Sequence, residues 1–301
     1  RHCHGDLHLR NIVLLDGEPT LFDGVEFNDE IACTDVLYDL AFLLMDLRRR
    51  GLPAHANAVW NEYLSATGDL GGLPLMPLFL SCRAAVRAKT SATAAHLQAD
   101  AARRLELEGL AREYLGIAGD LLRPPGPRLI AVGGLSGSGK STLARSLAPY
   151  LAGAPGAIVL RSDAIRKQLH GVPPLVHLGP DGYTPEMNAR VYERLAKMAR
   201  VVVSAGHTAI VDAVFARPEQ RQAIERVAAE ASAPFSGLWL EAPAATLIDR
   251  AERRRADPSD ADAEVIHGQL AAGIGEVTWQ RLDASPVAAQ VLERARRNLA
   301  V

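Results

Sequence analysis

Cysteine is scarce in this 301-residue chain, with only Cys3, Cys33 and Cys82. They lack metal-ligand spacing and form an odd set, which suits a reducing compartment better than a disulfide framework and makes the cytoplasm the expected location. No apolar run approaches the roughly 20 residues that span a bilayer, and no charged-then-apolar signal pattern opens the sequence, so no membrane partner is expected. Neither sign of charge is in excess: 33 Lys and Arg against 35 Asp and Glu leave a formal −2. That balance offers nucleic acid no broad basic surface, although a local basic groove stays open. Trp60, Trp239 and Trp279 are isolated and read as packing residues. A starting methionine is also missing. Arg1 opens the chain within four residues of a catalytic-looking motif, which reads as a fragment. Composition leaves the oligomeric state open.

Three prolines within Leu122-Arg123-Pro124-Pro125-Gly126-Pro127 remove donors and push their predecessors to extended conformations, so no helix continues there. The expected domains are therefore residues 1–122, a proline-rich linker 123–127, and residues 128–301. The first begins with a hairpin, Ile12 to Leu15 and Thr20 to Phe22 around Asp16-Gly17. Apolar residues then recur at helical spacing through Leu37, Leu40, Ala41, Leu44 and Leu47, and three further helical stretches run to Leu121. Beyond the linker, short apolar strands alternate with helices: Leu129 to Val132, Ala157 to Leu160, Ala209 to Val211, Gly237 to Leu240 and a weak fifth near Val277 to Leu282. Alternation of this kind predicts crossover helices and a parallel sheet. The expected fold class is α/β, a C-terminal parallel sheet flanked by helices behind a mainly helical fragment with one hairpin.

Gly134-Leu135-Ser136-Gly137-Ser138-Gly139-Lys140-Ser141 is a complete G-x-x-x-x-G-K-[ST] sequence between an apolar run and the helix-forming run Thr142 to Leu151. A strand ending in a glycine-rich turn that opens a helix aims backbone N–H groups and the positive end of the helix dipole at one small volume, which suits a polyphosphate. Gly134, Ser136, Gly137, Ser138, Gly139, Lys140, Ser141 and Thr142 are the candidate ATP-binding residues. Lys140 can reach the β- and γ-phosphates, and the Ser141 hydroxyl can join a Mg2+ shell.

Ligands of open α/β sheets gather beyond the carboxyl ends of the strands. After Leu160 come Arg161, Ser162 and Asp163, with Arg166 one turn further. Asp163 is a candidate acceptor of an alcohol proton and Arg166 a phosphate or substrate contact, the competing role for Asp163 being a helix N-cap. Asp212 follows Val211 as a metal-holding acid would, against the alternative of a buried structural aspartate. Arg250 and Arg254, on a basic helix that breaks at Asp257-Pro258-Ser259-Asp260, are lid candidates that would neutralise transferring phosphoryl charge; a solvated helix end is their plainer role. On these motifs, and on Arg281-Leu282-Asp283-Ala284-Ser285, the second half resembles the small P-loop kinases of the gluconate, shikimate and polynucleotide kinase type, and AAA-like ATP-binding domains. The resemblance implies phosphoryl transfer from ATP, an acceptor near Asp163 and Arg166, and a lid arginine on the phosphates.

In the first half, His4-Gly5-Asp6-Leu7-His8-Leu9-Arg10-Asn11 has the H-x-D-x-x-x-x-N spacing of a kinase catalytic loop, with Asp6 to take a hydroxyl proton and Asn11 to bind Mg2+. With the following hairpin and Tyr38-Asp39-Leu40-Ala41, the stretch resembles the C-terminal lobe of the aminoglycoside phosphotransferase family. The resemblance implies a metal-binding aspartate after the hairpin, here Asp23 with Glu26 as the rival, and Asp39 as a support of the loop. The lobe that would hold the nucleotide is absent, so this half is expected to be inactive as it stands. Arg83 and Arg87 share a helix face read as solvated, and His8, His170 and His207 read as surface or capping residues. The function expected is transfer of the ATP γ-phosphate to a small-molecule hydroxyl. The alternative is an ATP-binding regulatory module attached to an inactive kinase-like domain.

Overall fold

The computed structural model describes residues 1–253 and 257–301, which divide into two compact units: 1–125 with 153–155, and 126–152 with 156–301. The short segment 153–155 groups with the first unit, a discontinuity that the sequence pattern did not suggest.

The first unit opens with strands β1 (Ile12–Leu15) and β2 (Glu18–Leu21), paired antiparallel with Leu15 opposite Glu18. Asp16 and Gly17 both have positive φ, 52° and 85°, as a two-residue hairpin turn with matched twist requires. The second strand lies about two residues earlier than expected, its Pro19 tolerated because a two-stranded ribbon is all edge. Helices α1 (Asp29–Ala32), α2 (Val36–Arg49), α3 (Pro53–Thr67), α4 (Met76–His96) and α5 (Ala101–Leu121) follow. Asn28, Asp35 and Asp100 cap α1, α2 and α5 by accepting backbone N–H groups of the first turn. Phe42, Leu44, Trp60, Met76 and Leu80 are almost fully buried and form the apolar interior of this unit.

The second unit is built from β3 (Leu129–Gly134), α6 (Lys140–Leu147), β4 (Ile158–Arg161), α7 (Ser162–Leu169), α8 (Pro185–Ser204), β5 (Ala209–Asp212), α9 (Pro218–Glu230), β6 (Phe235–Glu241), α10 (Ala244–Glu252), α11 (Ala263–Ala272), β7 (Gln280–Asp283) and α12 (Ala288–Leu299). Its five strands are all parallel, in the order β4-β5-β3-β6-β7. The central strands read as unbroken apolar runs because both faces are covered. On one face Ile130, Val132, Ile210 and Leu238 meet Leu143, Leu147, Val291 and Leu299 of α6 and α12. Helices α8 and α9 cover the other face. The fifth strand is Gln280–Asp283, later than expected, and α6 ends at Leu147 because Pro149 cannot donate the next bond. The chain runs from β3 out to β4, back to β5, and then across to β6, so the order reverses at β3. That crevice beyond the carboxyl ends is where this architecture binds ligands. Among the described residues, no helix is long and apolar enough to cross a membrane.

Candidate active site

A cavity of about 1540 Å3 opens at the carboxyl ends of these strands, lined by Ser136 to Leu143 together with Asp163, Arg166, Asp212 and Arg250. The loop's shape follows from its glycines. At Gly137, φ is +82° and a Cβ would stand 2.2 Å from the Leu247 carbonyl oxygen, so no other residue fits without moving backbone. Gly139, with φ of +90°, turns the chain into α6. Gly134 closes β3 rather than lining the cavity; a Cβ there would meet the Leu240 carbonyl at 2.6 Å.

Ser136 is gripped by Gln269 of α11, whose Oε1 accepts the Ser136 N–H at 2.9 Å while its Nε2 donates to Ser136 Oγ at 3.0 Å. The Lys140 ammonium donates to the Leu135 carbonyl at 2.9 Å, and Leu135 itself packs against Leu247, Ala251 and Ile266. The Ser138 hydroxyl is buried and has no hydrogen-bond partner among the described residues. A buried orphan hydroxyl in a glycine cradle at a helix N-terminus fits a phosphate, whose oxygens accept what the protein leaves unmet.

A second polar corner lies beside the cradle. Strand register sets Asp212 opposite both Val132 and Arg161. Burial pushes the Asp212 carboxyl above its ordinary range, against the charges of Lys140 and Arg161 and a hydrogen bond with Ser141. Arg161 lies with Nε 3.4 Å from Asp212 Oδ2 and donates through Nη2 to Ser141 Oγ at 3.2 Å. The pairing of Ser141 hydroxyl and Asp212 carboxylate fits a hard divalent cation completed by phosphate oxygens and water. Among the described residues no group of three or more His, Cys, Asp or Glu side chains forms a metal cage, so a cation here depends on those further oxygens.

Across the cavity, Asp163 sits in the first turn of α7. The N-cap is Arg161, without a side-chain cap, which sets aside the capping role weighed for Asp163. Among the described residues the Asp163 carboxylate makes no hydrogen bond or ion pair, and it faces the cavity. Arg166 is buried, donates to the Gly182 carbonyl at 2.8 Å and Asn188 Oδ1 at 2.7 Å, and stacks 4.7 Å from the Tyr183 ring. No carboxylate among the described residues pairs with it at salt-bridge distance.

Arg250 lies on α10 at the cavity edge, donating to the Ala284 and Ser285 carbonyls at 2.9 and 3.3 Å rather than standing free as a lid arginine. Arg254 lies outside the described residues. The segment 257–260 is tied down by its carboxylates. Asp257 accepts from Arg145 and Arg161, and Asp260 accepts from Lys167, Tyr183 at 2.7 Å and the Leu178 N–H at 3.0 Å. Burial works to raise the Asp260 carboxyl, but these donors, Lys167 first, outweigh it and hold it below the ordinary range.

The first unit brings its predicted loop residues together. Asn11 Nδ2 donates to Asp6 Oδ2 at 3.2 Å and to the Asp6 carbonyl at 3.0 Å. Asp39 accepts the His4 and Gly5 N–H groups, both at 3.0 Å. Asp23 follows Phe22, whose N–H donates to the Asn11 carbonyl at 3.1 Å, and has a φ of +58°; Glu26 lies beyond it in the loop. Two bland readings are corrected. Arg83 is buried rather than solvated, donating to the Tyr38 and Gly5 carbonyls and stacking 3.9 Å from the Tyr38 ring. His8 is buried edge-on against Phe42, 3.4 Å from Asp6.

Gln269, Lys167 and Asp260 escaped the sequence reading. Only the run Asp257 to Asp262, dense in aspartate after a basic helix, signalled that carboxylates would be needed there.

Residues 129–273 match the family described as AAA domain. An uncharacterized protein of Mycobacterium tuberculosis is 32% identical over 293 residues, covering 94% of this chain and 56% of that protein. The chain thus spans about half the length of the curated relatives it matches first. The adenylyl-sulfate kinase of Myxococcus xanthus is 34% identical over 118 residues, 39% of this chain and 59% of that one. A solved sugar kinase from a Janibacter species aligns over 58% of this chain and 95% of its own at 23% identity, with a TM-score of 0.43. The second unit thus carries a glycine-rich phosphate-loop sequence on a five-stranded parallel sheet and, over residues 129–273, is similar to the AAA domain family.

Proposed function

We propose that this chain is an ATP-dependent phosphotransferase acting on the hydroxyl of a small molecule, with its working centre in the second unit. The observation that carries this reading is the unpartnered Asp163 carboxylate on the same cavity wall system as the phosphate cradle, Lys140 and the Ser141–Asp212 pair. The cradle would hold the ATP phosphates through backbone N–H groups and Ser138, and Lys140 would neutralise the β- and γ-phosphates. Ser141 and Asp212 would hold Mg2+, which would supply positive charge against that developing on the phosphates. Asp163 would take the proton of the acceptor hydroxyl as its oxygen forms the new bond to the γ-phosphorus. The bond to the β-phosphate oxygen then breaks and ADP leaves. Arg166, a buried guanidinium with only neutral hydrogen-bond partners among the described residues, would steady the acceptor or the transferring group. Helix α10 and the 257–262 segment edge the cavity, where Arg250 orders the 284–285 turn.

In the first unit the resemblance to aminoglycoside phosphotransferases supports a kinase-type loop, with Asp6, Asn11 and Asp23 as its would-be catalytic and metal residues. Asp6 and Asn11 are engaged with each other, so this unit would add no activity in the chain as it stands.

ATP consumption by the full chain against a panel of sugars, nucleosides and aminoglycosides tests the reading. One acceptor should stimulate turnover, and Lys140→Ala should abolish it. Full turnover in Lys140→Ala overturns the assignment, and tight ATP binding without stimulation by any acceptor favours a regulatory module instead.

A further inference from the structure

Arg161 is the last residue of β4, so the strand fixes its backbone while its long side chain is free to choose partners. Its Nη2 stands 3.2 Å from Ser141 Oγ and 3.1 Å from each Asp257 oxygen. Its Nε, 3.4 Å from Asp212 Oδ2, is buried and completes no hydrogen bond among the described residues. The guanidinium therefore gathers the hydroxyl and carboxylate that a divalent cation would take, together with one carboxylate from the segment after α10. The two attachments differ in kind. Toward Asp212 there is charge attraction without a hydrogen bond, which an arriving cation can replace outright. Toward Asp257 there are two donor contacts, and Asp257 is independently anchored by Arg145 at 3.2 Å and by the Ser259 N–H at 3.0 Å. A cation bound at Ser141 and Asp212 would repel the guanidinium in a poorly solvated corner, where Arg161 is only 12% exposed and Asp212 only 5%. Asp257 is the partner positioned to keep it.

Resting on the reading that Ser141 and Asp212 order Mg2+, we propose that Arg161 is a placeholder for the metal, neutralising that corner in the metal-free protein and shifting wholly onto Asp257 when the metal enters with nucleotide. Metal binding then tightens the 257–262 segment, whose residues line the cavity. Arg161 is a positioning residue in this scheme: it reports metal occupancy to the segment that edges the site.

The test is binding by the purified full chain, with ADP affinity measured by calorimetry in EDTA and Mn2+ affinity of the ADP-loaded protein measured by electron paramagnetic resonance. Arg161→Leu removes the competitor and should tighten Mn2+ about tenfold. Asp257→Asn removes the retreat and should weaken Mn2+ about threefold, and the double variant should behave like Arg161→Leu alone. Asp257→Asn keeps side-chain shape on a cavity-lining segment, so its direction decides the matter if Arg161→Leu does not fold. Mn2+ affinity unchanged or weakened in Arg161→Leu, or unchanged or tightened in Asp257→Asn, overturns the placeholder while ADP binding keeps the nucleotide site. Absence of ADP binding by the wild-type chain overturns the nucleotide reading, and the placeholder with it.

Discussion

Both units assemble carboxylates, an amide or hydroxyl and basic residues near a loop, yet they dispose of them differently. In the second unit the cradle, Ser141, Asp163 and Asp212 border a cavity of about 1540 Å3, and the Ser138 hydroxyl and the Asp163 carboxylate have no hydrogen-bond partner among the described residues. In the first, Asp6 is bonded by Asn11 and approached by His8, and Asp39 is consumed by two backbone N–H groups and Arg83. The pocket at His8, Arg10 and Asp46 there amounts to about 20 Å3. The same residue types thus border an open cavity in one place and form an internally satisfied loop in the other. Unmet polar groups facing open volume, rather than the motif alone, separate the two.

The comparison breaks most readily at the cradle. Gly137→Ala forces a left-handed backbone angle on a residue with a Cβ and drives that Cβ into the Leu247 carbonyl. Strain and overpacking together should cost about 4 kcal/mol in chemical denaturation, with loss of ATP binding. Asp260 comes next. Asp260→Asn leaves the Lys167 ammonium, only 1% exposed, without its carboxylate, which should destabilise the fold by about 3 kcal/mol. Because the Asp260 carboxyl is held low in the folded chain, its stabilisation is complete above the ordinary value of 3.8 and is lost as pH falls through the lowered value. Unfolding free energies measured across that acidic range should therefore slope less steeply in Asp260→Asn than in the wild type. Asp163→Asn sharpens the functional side: kcat with the stimulating acceptor should fall about 100-fold, or about 2.7 kcal/mol, with the KM for ATP nearly unmoved. The smallest effect is expected in the first unit, where Asp6→Asn should change turnover by less than about twofold, since its carboxylate is already engaged.

The strand, loop and helix from Leu129 to Leu147 were legible because the phosphate motif is local and its glycines each have a backbone reason. Asp212 was legible from its place at a strand end, but Arg161 at the neighbouring strand end was read past, because an arginine there has no fixed meaning until the register sets it opposite Asp212. Gln269 was illegible for a different reason: it meets Ser136 from 133 positions away, on a helix whose periodicity carries no sign of that contact. Lys167 and Asp260 are 93 positions apart. Arg83 read as a solvated charge because helical spacing cannot show that Tyr38 and the Gly5 carbonyl close over it.

The most direct test counts nucleotide sites. Titrating Mg2+-ADP into the full chain by calorimetry should give one site per chain, absent in Lys140→Ala and retained in Asp6→Asn. Two sites per chain, or one that survives Lys140→Ala, would contradict the account.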